Sequence, residues 1–308
     1  RRGMAAWQDP RPMRAHQLRA RFFAPPEQLA GCFTSFYFLE VDLAGGEPLE
    51  DYLQPEWANL RFFFGHQPET ERRDGSVLTG TPFTATGPSS CPVRFRLPTM
   101  RMWGIGLLPL GWAKFMHVPA ASLADTVSDG MTHPAFAQFI PLYEDLRATN
   151  ADEEGQAELI SAFFLARDRA VRGATQIAAV HEALVDPEVH GAAELATRAN
   201  ITQRTLERLC ARHFGFTPQH LIRRQRMMRT LSAFMLADRA SWSQVIDLHY
   251  TDHAHFTREF HTFMRMSPSE YAALDHPVLA AFMAERARVL GSPVQTLDRP
   301  AKLHQPAS

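Results

Sequence analysis

Apolar and polar positions follow two different periods along the chain, and the change falls near residue 135. Before it, short apolar and aromatic runs (Cys32–Val41, Leu60–Phe64, Val93–Leu97 and Trp103–Leu108) are separated by turn-forming stretches such as Gly45-Gly46, Asp74-Gly75, Thr81-Pro82 and Gly87-Pro88. Such runs, bounded by Gly, Pro and Asp, predict short strands of a sandwich or barrel. Leu18–Gly31 and Ala120–Asp125 read as helical exceptions. After Pro141 the apolar residues recur at three- and four-residue spacings through Leu142–Arg147, Ala157–Val171 and Thr175–Asp186, the period of amphipathic helices. The polar stretch Thr149–Gly155 reads as a loop. From Gly191 to Leu274 the helical signal is strongest, and the proline-containing end, Gly291 to Ser308, reads as disordered.

A duplication at an offset of 50 residues is the most informative pattern. Leu195-Ala196 map onto Val245-Ile246, Leu206 onto Phe256, Arg208 onto Arg258, and Cys210 onto Phe260. Phe214 maps onto Met264, Thr217-Pro218 onto Ser267-Pro268, and Leu221 onto Tyr271. Apolar meets apolar without a gap, as expected of one supersecondary unit used twice. Each copy has the grammar of a helix, a tight turn and a second helix. In the first, Gly191–Ala199 is the opening helix, Asn200-Ile201 the turn, and Thr202 the N-cap of a helix burying Leu206, Leu209, Cys210 and Phe214. Its other face offers Gln203, Arg204, Glu207, Arg208 and Arg212. In the second, Trp242–His249, Tyr250-Thr251 and Asp252 take those parts. The helix that follows buries Phe256, Phe260, Phe263 and Met264 and exposes His253, Ala254, Thr257, Arg258 and His261. Pro218 opens a connecting helix to about Leu236, roughly 28 Å long at ~1.5 Å per residue. Successive major-groove faces on one side of B-DNA lie ~34 Å apart, so this connector sets two helices near adjacent turns of groove.

Global charge is silent: 32 basic against 33 acidic residues give a formal net charge of -1. Local charge is not. Between Arg198 and Arg229, eight arginines (198, 204, 208, 212, 223, 224, 226 and 229) stand against one acid, Glu207. Such a stripe suits phosphate contact, although Arg224 and Arg226 are also placed to lie over their own helix. The second copy is less basic, with Arg258 and Arg265 set against Asp252 and Glu259, and should contribute less affinity.

At these residues the chain resembles the AraC/XylS family of transcriptional regulators. The resemblance is carried by Ala193-Glu194-Leu195-Ala196, Thr205-Leu206-Glu207-Arg208-Leu209 and Phe214-Gly215-Phe216-Thr217-Pro218. It continues in His255-Phe256-Thr257-Arg258-Glu259-Phe260 and Met266-Ser267-Pro268-Ser269-Glu270-Tyr271, and covers roughly a hundred residues in all. It implies an α+β chain: a β-rich, cupin-like barrel for sensing or dimerisation over 1–135, a helical linker region over 136–174, a tandem helix-turn-helix domain over 175–275, and a short helix with a disordered tail over 276–308. Carried over by position, the base readers are Arg204, Glu207 and Arg208, then His253, Ala254, His255 and Arg258; Gln203, Arg212, Thr217 and Ser267 contact phosphate. Glu207 either accepts from cytosine N4 or pairs with Arg204 or Arg208. The implied partners are double-stranded DNA, a small-molecule effector, RNA polymerase and a second copy of the chain; the product is an activator or a repressor. The chain departs from the family at His249-Tyr250, where Gly-Phe is usual, and at Arg265, where glycine is usual. His249 would need the left-handed backbone that glycine adopts freely, and the two departures bear on the docking geometry of the second unit more than on its fold.

The remaining chemistry is sparse. No GxSxG, HExxH, P-loop or dinucleotide fingerprint is present, so neither enzyme activity nor a cofactor is expected. Cys32, Cys91 and Cys210 form no CxxC pair, which points to a reducing, cytoplasmic setting rather than disulfides or zinc. Cys210 falls on a buried face, away from redox chemistry. No run approaches ~18 apolar residues, and no apolar core follows Arg1-Arg2-Gly3-Met4, so neither a membrane span nor a secretory signal is expected. His249, His253 and His255 do not converge on one helix face, and His66 and His117 stand without the partners of a cupin metal centre. Phe62, Phe64, Phe95, Trp103 and Trp112 read as core, with a pocket lining as the alternative. Two other functions stay open: a cupin-type metal-dependent enzyme with an accessory helical domain, and an effector-binding module that has lost DNA binding.

Overall fold

The computed structural model describes residues 17–237, 241–247 and 250–300. Gln17–Phe23 pairs antiparallel with Phe36–Asp42 and is a strand, β1, with Leu18, Ala20 and Phe22 on one face and Arg19, Arg21 and Phe23 on the other, where a helix was expected over Leu18–Gly31. Nine more strands follow: β2 (Phe33–Asp42), β3 (Leu49–Leu53), β4 (Ala58–Gly65), β5 (Glu69–Glu71), β6 (Val77–Leu78), β7 (Phe83–Thr86), β8 (Val93–Leu97), β9 (Met100–Leu107) and β10 (Val127–Asp129). They form a six-stranded antiparallel sheet in the order β1-β2-β9-β4-β7-β10 and a four-stranded one in the order β3-β8-β5-β6. The barrel of the sequence reading is thus built as two facing sheets.

The larger sheet is covered on both faces, which is why β2, β4 and β9 are apolar at nearly every position. Phe36, Phe38, Leu60, Phe62, Trp103 and Ile105 pack into the core beneath the helices. Their neighbours in register, Tyr37, Leu39, Phe63 and Met102, face the smaller sheet through Phe95 and Leu97. At ~1.5–3 kcal/mol for each large apolar side chain buried, these layers dominate the stability of the N-terminal half.

Helices α1 (Pro109–Phe115), α2 (Ile140–Ala148), α3 (Glu153–Leu165) and α4 (Ala174–Val185) cover the first face. Ala120–Leu123 is a single 3-10 turn. Arg19 and Arg21 on β1 are tied to Glu153 and Glu154 at the start of α3, so strand and helix are pinned by ion pairs. The duplicated region follows as α5 (Ala192–Arg198), α6 (Gln203–Leu209), α7 (Pro218–Leu236), α8 (Trp242–Val245), α9 (His253–Met264) and α10 (Pro268–Ala272). Cys210–Phe214 prolongs α6 as a π-turn closed by Gly215 N–H on the Cys210 carbonyl at 2.9 Å. The helix expected over Trp242–His249 is shorter. It stops at Val245 because Ile246 turns extended and the Asp247 N–H donates to the buried hydroxyl of Thr230 on α7 at 3.0 Å. His249 lies outside the described residues.

The chain end corrects the sequence reading further. After α10 a twelve-residue helix, α11 (Leu279–Leu290), returns to the N-terminal sheets. Its first N–H groups have no cap of their own. Asp51 on β3 supplies one: its carboxylate accepts from Val278 N at 3.0 Å and Leu279 N at 2.8 Å, and the His276 ring lies 2.9 Å away. Residues 291–300, expected to be disordered, are packed. Gln295 and Asn59 exchange side-chain hydrogen bonds at 3.0 and 3.1 Å, Thr296 is fully buried, and the buried Arg286 holds Asp298 and the Ser292 carbonyl. Composition hid this because the few anchoring residues sit among prolines and polar neighbours.

Candidate DNA interface and ligand cavity

Local sequence fixes both second helices of the duplicated units. The Thr202 hydroxyl accepts from Thr205 N–H, and the Asp252 carboxylate accepts from His255 N–H, each satisfying one orphan donor of the first turn. The inward faces are apolar apart from the buried Glu259: Leu206, Cys210 and Phe214 in one unit, Phe256, Phe260, Phe263 and Met264 in the other. What remains faces solvent. Gln203, Arg204, Glu207, Arg208 and Arg212 are exposed on the first, and His253, Ala254 and Arg258 on the second.

The arginine stripe divides in two. On α7, Arg226 and Arg223 approach Glu259 at 2.6 and 3.4 Å, the first as an aligned hydrogen bond, and Arg229 pairs with Asp247 at 2.7 Å. Arg198 pairs with Asp186 and Glu194. Arg224 is wholly buried: it donates to the Ser89 carbonyl at 2.9 Å and lies 4.1 Å over the Trp57 ring, its Nε and Nη2 lacking partners. Burial pushes its guanidinium down to about 9, which leaves it charged at pH 7. Arg224, Arg226 and Arg229 thereby lock the β-sheets and the second unit onto α7 and are withdrawn from phosphate contact, while Arg198 ties α5 to the end of α4. Among the described residues, Arg204, Arg208, Arg212 and Arg258 have no ion pair, and Glu207 pairs with neither Arg204 nor Arg208.

His255 departs from its expected place. It is half-buried, with Nε2 3.2 Å from the buried carboxylate of Glu259 and Nδ1 3.3 Å from the Thr251 hydroxyl. Glu259, counted in the sequence against Arg258 and Arg265, gathers Arg223, Arg226 and His255 instead. Thr217 and Ser267 cap α7 and α10 by accepting from His220 and Glu270 N–H, so their hydroxyl protons alone are left to donate outward.

Arg265 closes α9 with φ 59°, the left-handed conformation adopted in the first unit by Gly215 at φ 90°. A side chain there costs roughly 1–2 kcal/mol. Arg265→Gly should therefore raise unfolding stability by about 0.5–1 kcal/mol in a denaturant melt, net of glycine's entropy; a loss of stability would contradict the strain.

Between the two sheets lies a cavity of about 110 Å³. Leu39, Phe63 and Met102 of the larger sheet, Phe95 and Leu97 of the smaller, and Phe282, Met283 and Val294 of the chain end line it. Tyr37 crosses Gly104, where any Cβ would collide with its ring, and donates to Asn59 at 3.1 Å. At the polar end Arg61 is neutralised by Glu56 at 2.7 Å. Gln54, also in the wall, donates to the Tyr271 hydroxyl of α10 at 2.9 Å, while its Oε1 is buried without a partner. Sequence reasoning missed this site except for Phe95; Phe62, Trp103 and Trp112 belong to the helix-side core, and Phe64 stacks on Tyr143. Burial pushes the thiols of Cys32 and Cys210 up to about 12 and that of Cys91 up to about 11, so none is a ready nucleophile. Among the described residues no group of three His, Cys, Asp or Glu side chains is placed to hold a metal ion, and no helix is long and apolar enough to cross a membrane.

Two capped helices present unneutralised polar faces, α6 packed on the core it shares with the N-terminal half and α9 on a separate one, and together they have the form of a tandem helix-turn-helix unit. Residues 195–273 match the model of a helix-turn-helix domain family. Among solved structures the chain is similar to ToxT from Vibrio cholerae. One, bound to (E)-4-(8-methylnaphthalen-1-yl)but-3-enoic acid, is 11% identical with a TM-score of 0.42, over 73% of this chain and 98% of that one. Another, at 1.65 Å resolution, is 10% identical with a TM-score of 0.43, over 84% and 98%. The AraC-like transcriptional activator CuxR is 14% identical with a TM-score of 0.27, over 68% and 85%. No curated protein matches the chain.

Proposed function

We propose that α6 and α9 read operator DNA and that a small ligand held between the two sheets controls that reading. The observation that carries the DNA part is the contrast in pairing: arginines on α7 are spent on Glu259, Asp247 and backbone carbonyls, whereas those on α6 and Arg258 on α9 point outward unneutralised. Arg204, Glu207 and Arg208 then read base edges in one stretch of major groove, and His253, Ala254 and Arg258 in the next. Gln203, Arg212 and the hydroxyls of Thr217 and Ser267 bind phosphate. His255, turned toward Glu259, positions α9 instead of reading a base. Arg208→Ala should cost about 1–3 kcal/mol of specific binding without lowering the Tm. A mobility shift identical to wild type on fragments selected by the wild-type chain would remove Arg208 from the reading face.

The cavity sets the ligand class. An engineered cavity of ~150 Å³ holds benzene, so this one takes an apolar molecule no larger than about one ring, with a hydrogen-bond donor for Gln54 Oε1. A larger ligand has to displace Phe282, Met283 and Gln295. Because Gln54 also holds Tyr271, occupancy bears directly on the second helix-turn-helix unit. RNA polymerase as the downstream partner and a homodimer as the working form belong to the same proposal; sedimentation of the free and DNA-bound chain checks the second.

A further inference from the structure

Beside the first recognition helix lies a groove of about 1060 Å³ whose lining contains Arg169, Arg172, Arg208, Arg212, His117 and His213 and no carboxylate. Its far wall is the end of α1 with the loop that follows, and the 166–173 loop before α4. We infer that this wall is a second phosphate-binding edge of the DNA interface, carried by Arg172 and by the N-terminus of α4. The inference rests on the reading of α6 as a DNA-recognition helix.

The groove is one surface with α6. Thr205, Arg208 and Arg212 form one bank, so a duplex whose major groove receives the outward face of α6 passes a sugar–phosphate strand along this flank. The chain has as many acids as bases, yet places none here. Unneutralised like charges gathered in one cleft repel one another and raise the affinity of the cleft for a polyanion. Arg208, Arg212 and Arg172 are exposed and, among the described residues, without ion pairs. Arg169 spends its N–H groups on the Lys114 and Ala113 carbonyls, capping the end of α1, but keeps its charge. The Trp112 indole, donating to the Val118 carbonyl at 2.9 Å, fixes the loop that carries His117. A second, independent feature points the same way. The twelve-residue α4 opens into this groove at Gly173, in the left-handed conformation and with no side-chain cap. Ala174 N–H is taken by the Val171 carbonyl at 3.2 Å, and the N–H groups that follow, with the helix dipole, present partial positive charge where a phosphate would sit. His213, pushed down to about 4 chiefly by burial, is neutral at pH 7 and adds no charge.

Full-length protein and a fluorescent duplex selected from genomic fragments by the wild-type chain provide the test, with affinity measured over a salt series. Arg172→Ala should weaken binding severalfold on selected and arbitrary duplexes alike and lower the slope of log affinity against log salt by about one. Arg172→Lys should restore the slope, because a point charge suffices for phosphate. Arg101→Ala, an exposed arginine on β9, should leave it unchanged. The inference is overturned if Arg172→Ala keeps the wild-type slope while Arg208→Ala loses affinity, which would leave the reading of α6 standing. Failure of the wild-type chain to bind any duplex at low salt would overturn both.

Discussion

Replacing Asp51 by alanine should lower the unfolding free energy of the full chain by about 3–5 kcal/mol, the largest single-residue effect expected here. Asp51 is 1% exposed and accepts four hydrogen bonds: from Tyr52, Val278 and Leu279 N–H and from the His276 ring. Removing it strands those donors where water cannot reach them. It also removes the cap that starts α11, so the loss should reach the segment that closes the cavity. Hydrogen exchange gives the specific readout: protection of residues 278–297 should fall before that of α6. Asp51→Asn, which keeps an acceptor oxygen, should recover part of the loss. Unchanged stability in Asp51→Ala would mean that α11 does not depend on β3.

Acid should destabilise the chain through His181. This imidazole is 1% exposed where α4 meets Trp57 of the N-terminal half and Phe214 of the first helix-turn-helix unit, 5.7 and 6.5 Å from their rings. Burial pushes it from the ordinary 6.5 down to about 3, against a hydrogen bond that its ring donates to the Asp298 backbone carbonyl and that favours the charged form. Above pH 6.5 both folded and unfolded chains carry it neutral, and its contribution to stability is complete. Between pH 6.5 and 3 the unfolded chain takes up a proton that the folded chain refuses. Stability therefore falls with pH, by about 1.4 kcal/mol per unit for one such group and by several kcal/mol in all. His213 and His220, both pushed down to about 4 chiefly by burial, act with the same sign. Denaturant melts of wild type and His181→Leu between pH 7 and 4.5 should diverge, the variant losing less. Parallel curves would exclude His181 as the source.

The duplicated region was legible because its signals are local. Caps at Thr202, Asp252, Thr217 and Ser267, the prolines behind the last two, and the apolar faces of α6 and α9 are each set by neighbours within a few residues, and α7 runs from Pro218 to Leu236 as expected. The strands β2, β4 and β9 were visible as runs because both faces of their sheet are buried, and β8 because Val93, Phe95 and Leu97 alternate with arginines. Failures came where a distant part of the chain decides. Gln17–Phe23 becomes a strand because β2 lies beside it, and α8 ends early because Thr230 captures Asp247 N–H. Residues 291–300 are ordered by Asn59, more than two hundred positions earlier. The arginine stripe misled for the same reason. A run of guanidiniums does not show that α7 is enclosed nearly all round, so that Arg223, Arg226 and Arg229 serve internal carboxylates and Arg224 a backbone carbonyl.

The account depends most on α6 and α9 meeting duplex DNA with their unpaired faces, and selection of bound fragments from genomic DNA tests this most directly. The full wild-type chain should enrich a recurring sequence that spans two neighbouring major-groove faces, and the Arg208→Ala, Arg258→Ala double variant should lose that enrichment while retaining its fold. Enrichment by the double variant equal to wild type, or no retention of DNA by the wild-type chain at low salt, would contradict it.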